Sequence, residues 1–151
     1  MCSFKIKTII LATVILFSIS CEAKMIRDSS VTDNQVIFDT ASNLMWQDDN
    51  DAQIDTMIWI DAINYCESLD KKSYTNWRLP NINELRTISD DSKASPATSS
   101  VFLNVSDEKY WSSTTSSGKK DYAWQIDFAT SAEDYISKST AIHIRCVRDV
   151  N

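Results

Sequence analysis

The chain has 151 residues, the length of one ordinary domain with little room for a second core. Hydrophobic residues make up 43% and charged residues 24%, too apolar a balance for a disordered chain. Its one glycine, Gly118, excludes collagen-like repeats, a glycine-rich phosphate loop and a dinucleotide fingerprint, and the net charge of −6 argues against nucleic acid, which needs a basic footprint.

Lys5 and Lys7 precede an apolar run from Ile9 to Ile19 that is short for a bilayer span. Residues 1–20 therefore read as a secretory signal. Ser18-Ile19-Ser20-Cys21 resembles the lipobox of bacterial lipoproteins, with Ser18 where leucine is usual. On that reading Cys21 is lipidated, becomes the new N-terminus and is the only membrane attachment. The alternative is plain cleavage after Ala23, with Cys21 and Ala23 as the small residues of the site. Loss of the signal removes two lysines and no acids, moving the charge from −6 to about −8. Cys66 and Cys146 then remain, an even pair in an oxidising compartment. A bridge between them would close a loop of about eighty residues and contribute ~4 kcal/mol. Two free buried thiols, or a catalytic pair, are the competing readings.

Residues 21–34 are polar and without periodicity, the pattern of a tether; the domain proper is residues 35–151. Val36-Ile37-Phe38-Asp39 and Leu44-Met45-Trp46-Gln47 read as a hairpin, with Asn43 able to take φ > 0 in the turn. Residues 48–55 are expected to be an acidic loop. Ile58, Trp59, Ala62, Ile63, Cys66 and Leu69 recur at helical spacing and give a first helix one apolar face. Trp77 to Pro80 is extended, because proline disfavours helix at the residue before it. Asn81 followed by Glu84 is a capping-box start for a short second helix. Residues 92–100, rich in Ser, Ala and Thr around Pro96, form a surface loop. Strands are expected at Tyr110 to Ser113, Tyr122 to Phe128 and Ala141 to Val147, the last as one continuous element. Two early helices and late antiparallel strands make an α+β domain.

Six segments occur together in a familiar order. They are Asn43 to Asp48, Ala62-x-x-Tyr65-Cys66-x-x-Leu69, Asn76-Trp77-Arg78-Leu79-Pro80-Asn81-x-x-Glu84-Leu85, Tyr110 to Thr114, Ala123-Trp124-x-x-Asp127-Phe128 and Arg145 to Arg148. Over residues 35–148 the chain resembles the Lcl C-terminal domain family, named for the domain that ends the Legionella collagen-like adhesin. The resemblance implies a C-type-lectin-like fold, related to that of formylglycine-generating enzymes, with two helices packed on small antiparallel sheets and long loops. It also implies polysaccharide binding and attachment, as in the adhesin. There is no collagen stalk here, so trimerisation does not carry over. Where the family commonly has glycine, this chain has Asn43, Ser73 and Ser131. Those turns need left-handed Asn or Ser, or a different shape.

Candidate chemistry follows from residue types. Asp49 and Asp51 are a weak calcium candidate within the group Asp48, Asp49, Asp51 and Asp55. The spacing echoes a calcium loop but lacks its glycine and distal glutamate, so a solvated loop capping the next helix competes with it. Beyond calcium no cofactor is expected. His143, the single histidine, reads as a strand residue rather than a base, and no enzyme activity is expected. Trp46, Trp77, Trp111 and Trp124 are expected to pack. Tyr74, Tyr110 and Tyr135 lie near loops and are the exposed aromatic candidates for ligand contact. Polar loop residues Asn104, Ser106, Asp107, Ser116 and Ser117 join them. Arg78 and Arg148 are expected to brace carboxylates. The function these features suggest is an exported, envelope-anchored, non-catalytic module that recognises a glycan or a protein surface through loops between Asp91 and Ser139. A structural protein that docks other envelope proteins, or a relative of the formylglycine-type oxidases, are the alternatives.

Overall fold

The structure is a computed structural model that describes residues 24–27, 35–71 and 73–150. It is α+β, with two sheets and three short helices among the described residues. Strands β1 (Met25–Arg27), β2 (Val36–Asp39), β3 (Leu44–Gln47) and β9 (Val147–Asp149) form an antiparallel sheet in the order β1-β2-β3-β9. The second sheet has the order β4-β8-β5-β6-β7, from β4 (Thr56–Met57), β5 (Lys109–Ser116), β6 (Lys119–Asp127), β7 (Ala132–Ser137) and β8 (Ile142–His143). Only the β5–β8 pair is parallel. The helices are α1 (Asn50–Ile54), α2 (Trp59–Ser68) and α3 (Ile82–Thr87).

The strands lie between two cores, and the period of two sends alternate side chains to each. Val36, Met45, Trp111 and Ala123 enter the first core with Ala62 and Cys66 of α2. Their neighbours Ile37, Leu44, Trp46, Tyr110 and Ile126 enter the second, with Leu85 of α3 and Ile88 at its C-cap. All four residues of β3 are therefore buried. The two helices cover opposite cores, and the Cys66–Cys146 disulfide ties α2 to the chain between β8 and β9.

The hairpin, α2, the extended Trp77–Pro80 segment and the capping box at Asn81 lie where the residue pattern places them. Asn81 Oδ1 accepts from the Glu84 N–H at 3.0 Å while the Glu84 carboxylate accepts from the Asn81 N–H at 2.8 Å. Three expectations are corrected. The acidic segment is not all loop: Asp49 caps α1 by accepting from the Ala52 N–H, and Asp51 sits in its first turn, where a negative charge is favoured. Part of the presumed tether, Met25–Arg27, is a strand on β2. Residues 141–147 are not one strand: the chain leaves the second sheet after His143 and enters the first at Val147. That crossing lies between both cores, so Ile142, His143, Ile144, Arg145, Cys146 and Val147 are all buried. Residues 1–20 and Cys21 lie outside the described residues.

Asn43, Ser73 and Ser131 have φ of 57°, 64° and 60°. These are the positions where glycine was the family expectation, and the turns keep the left-handed backbone without it. Asn43 is held there by donating from its side chain to the Val150 carbonyl.

Candidate functional site

The long connection between α3 and β5 is anchored from below by Asp48 and Arg145, both fully buried. Arg145 donates through Nη1 to Asp48 Oδ1 at 3.0 Å and to the Gln47 carbonyl at 2.5 Å, and through Nη2 to the Asn104 carbonyl. Asp48 in turn accepts from the Leu103 N–H at 3.0 Å and the Asn104 N–H at 3.1 Å. Its carbonyl accepts from the Asn104 side-chain amide at 2.9 Å. Arg27 of β1 donates to the same carboxylate and to the Val101 carbonyl. The Arg145 guanidinium lies 4.8 Å from the Phe102 ring centroid and 5.7 Å from that of Tyr110, so its flat faces are occupied as well. The charges and most of the donors are matched, the condition for burying them; the Arg145 Nε alone of its nitrogens has no partner among the described residues. The loop above is thereby pinned at Val101, Leu103 and Asn104 while the Leu103 side chain stays exposed.

Two of the five proposed ligand residues belong to this anchor. Asn104 is half-buried and engaged with Asp48 and Arg145. Tyr110, expected at the surface, is completely buried. Its hydroxyl donates to the Ala52 carbonyl and accepts from the Ser106 N–H, joining α1 to the loop. Burial pushes that hydroxyl above the usual tyrosine pKa. Its position in β5 faces the second core, one residue out of phase with Trp111, which the pattern near a loop did not disclose.

The other candidates lie apart. Asp107 is exposed, accepts from the Ser95 hydroxyl at 2.5 Å and lines a depression of about 240 Å³ with Thr56, Glu108 and Lys109. Tyr74 is half-buried under the Arg148 guanidinium, 5.1 Å from its ring centroid. Arg148 donates to the Thr75 carbonyl rather than to a carboxylate, whereas Arg78 does brace Glu84 through two bonds of 2.8 Å. Asp49 is buried, with Oδ1 accepting from Gln47 and Ala52 and its carboxylate paired with Lys71; Asp51 is exposed. Among the described residues no group of three or more His, Cys, Asp or Glu is placed to hold a metal ion. His143 stacks on Tyr110 with ring centroids 5.2 Å apart, and its Nε2 lies 3.7 Å from the Glu108 carboxylate. Burial lowers its pKa, against the opposing pull of Glu108.

Tyr135 is exposed and belongs to a cluster that strand periodicity assembles on the β6–β7 hairpin. Tyr122 and Trp124 are two apart on β6, and Trp124 lies directly across from Tyr135. The Tyr135 ring stands edge-on to Trp124 at 5.5 Å and to Tyr122 at 6.0 Å. The Lys119 ammonium lies 5.0 Å and 5.1 Å from the two tyrosine centroids. Trp46, Trp77 and Trp111 pack in the cores, but Trp124 is only half-buried beside Tyr135, a correction to its expected role. The alternation of Tyr122 and Trp124 was legible; the pairing with Tyr135 required the register.

Among the described residues no helix is long and apolar enough to cross a membrane. The family model described as the Lcl C-terminal domain matches residues 35–148. No curated protein matches the chain.

Proposed function

This chain belongs to the Lcl C-terminal domain family, and from that premise we propose that it is a non-catalytic recognition module of the cell envelope whose ligand is a glycan. The observation that carries this reading is the Asp48–Arg145 anchor, which holds a long surface loop in one conformation before any ligand arrives. A preorganised polar loop loses little entropy on binding, which suits a surface of many weak contacts. We read the architecture as C-type-lectin-like, supported by a disulfide that clamps α2 to the last crossing and by long loops above two small sheets. The bond between Cys66 and Cys146 speaks against the thiol-dependent oxidase alternative, since each cysteine consumes the other's thiol. The packed setting of His143 favours a binding role over base catalysis. Export, and a lipid anchor at Cys21, complete the proposal; many copies on one membrane would multiply modest contacts.

The test is a glycan array probed with the purified chain, with and without a calcium chelator. Specific signal supports the module, and its loss on chelation would promote Asp49 and Asp51 to a metal site. A blank array shifts the role to docking of envelope proteins.

A further inference from the structure

Resting on the reading of this chain as a glycan-recognition module, we infer that the aromatic face of the β6–β7 hairpin is its sugar subsite, and that it takes an uncharged pyranose. Tyr122, Trp124 and Tyr135 share one face of the sheet by register. Further along that face, Ile126 is buried against the second core with Leu85 of α3, so only the aromatic end is open.

The polar edges of these rings differ from those of most packed aromatics. Of the packed aromatics, Trp46 also has an indole N–H without a partner among the described residues, but it is sealed in the second core; the others bond theirs. The indole N–H groups of Trp59, Trp77 and Trp111 donate to the carbonyls of Ser112, Tyr74 and Met57, at 2.9, 2.8 and 2.9 Å. The hydroxyl of Tyr110 is bonded on both sides. In contrast, the Trp124 indole N–H and the hydroxyls of Tyr122 and Tyr135 bond to no group among the described residues. Three neutral hydrogen-bonding groups thus rim a patch of apolar ring faces. That combination matches a pyranose, whose C–H face stacks on an aromatic ring while its hydroxyls reach the ring edges.

Charge selects among sugars. The Lys119 ammonium rests against two tyrosine rings, and Arg86 at the border of the face is held by Glu133 through two bonds. Both of these cations have partners, the three unbonded ring-edge groups are neutral, and the chain carries a net charge of −6. A polyanion would meet long-range repulsion and little local compensation. An uncharged hydroxyl-rich ring meets neither obstacle.

The full chain is titrated with neutral hexose and N-acetylhexosamine oligosaccharides, followed by tryptophan fluorescence and calorimetry, with heparin as the polyanionic arm. Saturable binding to a neutral oligosaccharide is expected, with affinity nearly independent of salt. Trp124→Ala and Tyr135→Ala should each weaken it roughly tenfold or more, as loss of a central aromatic contact does. Tyr135→Phe and Trp124→Phe remove only the polar edge or exchange one ring for another, so the fold is preserved, and each should weaken binding severalfold. Ile60→Ser, exposed on α2 over the other core, should leave the affinity unchanged. Glycan binding that survives all four hairpin substitutions overturns the subsite and leaves the recognition module standing. Binding to heparin alone, abolished by salt, overturns the uncharged ligand. No binding to any glycan removes both the subsite and the reading it rests on.

Discussion

Arg145 is surrounded so completely that its removal should be felt throughout the loop above it. It bonds to Asp48, the Gln47 carbonyl and the Asn104 carbonyl, and it is fully buried. Arg145→Met would leave the buried Asp48 with less compensation, and is expected to cost about 3–5 kcal/mol in urea unfolding. A loss under about 1 kcal/mol would show that the pair adds little beyond packing. His143 gives a pH signature. Burial holds its pKa below the ordinary value of 6.5, so the unfolded chain binds a proton that the folded chain resists. The stability from its neutral form is present above about pH 6.5 and is lost as pH falls toward the lowered pKa. His143→Gln should flatten the pH dependence of unfolding in that window, while an unchanged profile would assign it to the carboxylates. Among the left-handed residues, Ser73 is exposed, and Ser73→Gly should stabilise by about 0.5–1 kcal/mol by relieving a non-glycine φ of 64°. Ser131→Gly should gain less, because the Ser131 hydroxyl accepts from Ser89 at 2.9 Å.

At the scale of elements, the segments with a short-range cause were the readable ones. The α3 start is an example: Asn81 and Glu84 are three apart, and each satisfies the other's N–H. Asn81→Ala should lower stability by about 1 kcal/mol, measurable as a drop in Tm. A change within error would mean that Thr114, whose hydroxyl accepts from the Ile82 N–H at 3.0 Å, suffices to hold this end. Helix α2 was readable for a similar reason, since its apolar spacing is local. Helix α1 was not, because five residues carry too little periodicity to announce a helix; only the Asp49 cap signals it. Strand β1 was hidden too. Three residues acquire their strand conformation from pairing with β2, not from their own pattern. The break between β8 and β9 was invisible because alternation continues through it: both faces of the crossing are buried, so neither side turns polar.

For the molecule as a whole, the Cys66–Cys146 disulfide spans 80 residues and joins α2 to the crossing between β8 and β9. Its removal in a Cys66→Ala, Cys146→Ala variant should cost about 4 kcal/mol, seen as a lower midpoint in denaturant. A much smaller loss would mean that the two cores already hold α2 in place without it. The pairing of these cysteines, the α+β class, the hairpin, the capping box and the family all followed from the sequence by itself, because each rests on residue counts, spacing or ordered motifs. Tertiary structure alone decided which aromatics are exposed. Tyr110 and Tyr135 both sit near loops, yet one is sealed between Ala52 and Ser106 and the other stands open beside Trp124. It also decided that Arg145, not Arg148, carries the buried charge pair. Burial of an individual side chain depends on what folds over it from distant parts of the chain, and no local pattern encodes that cover.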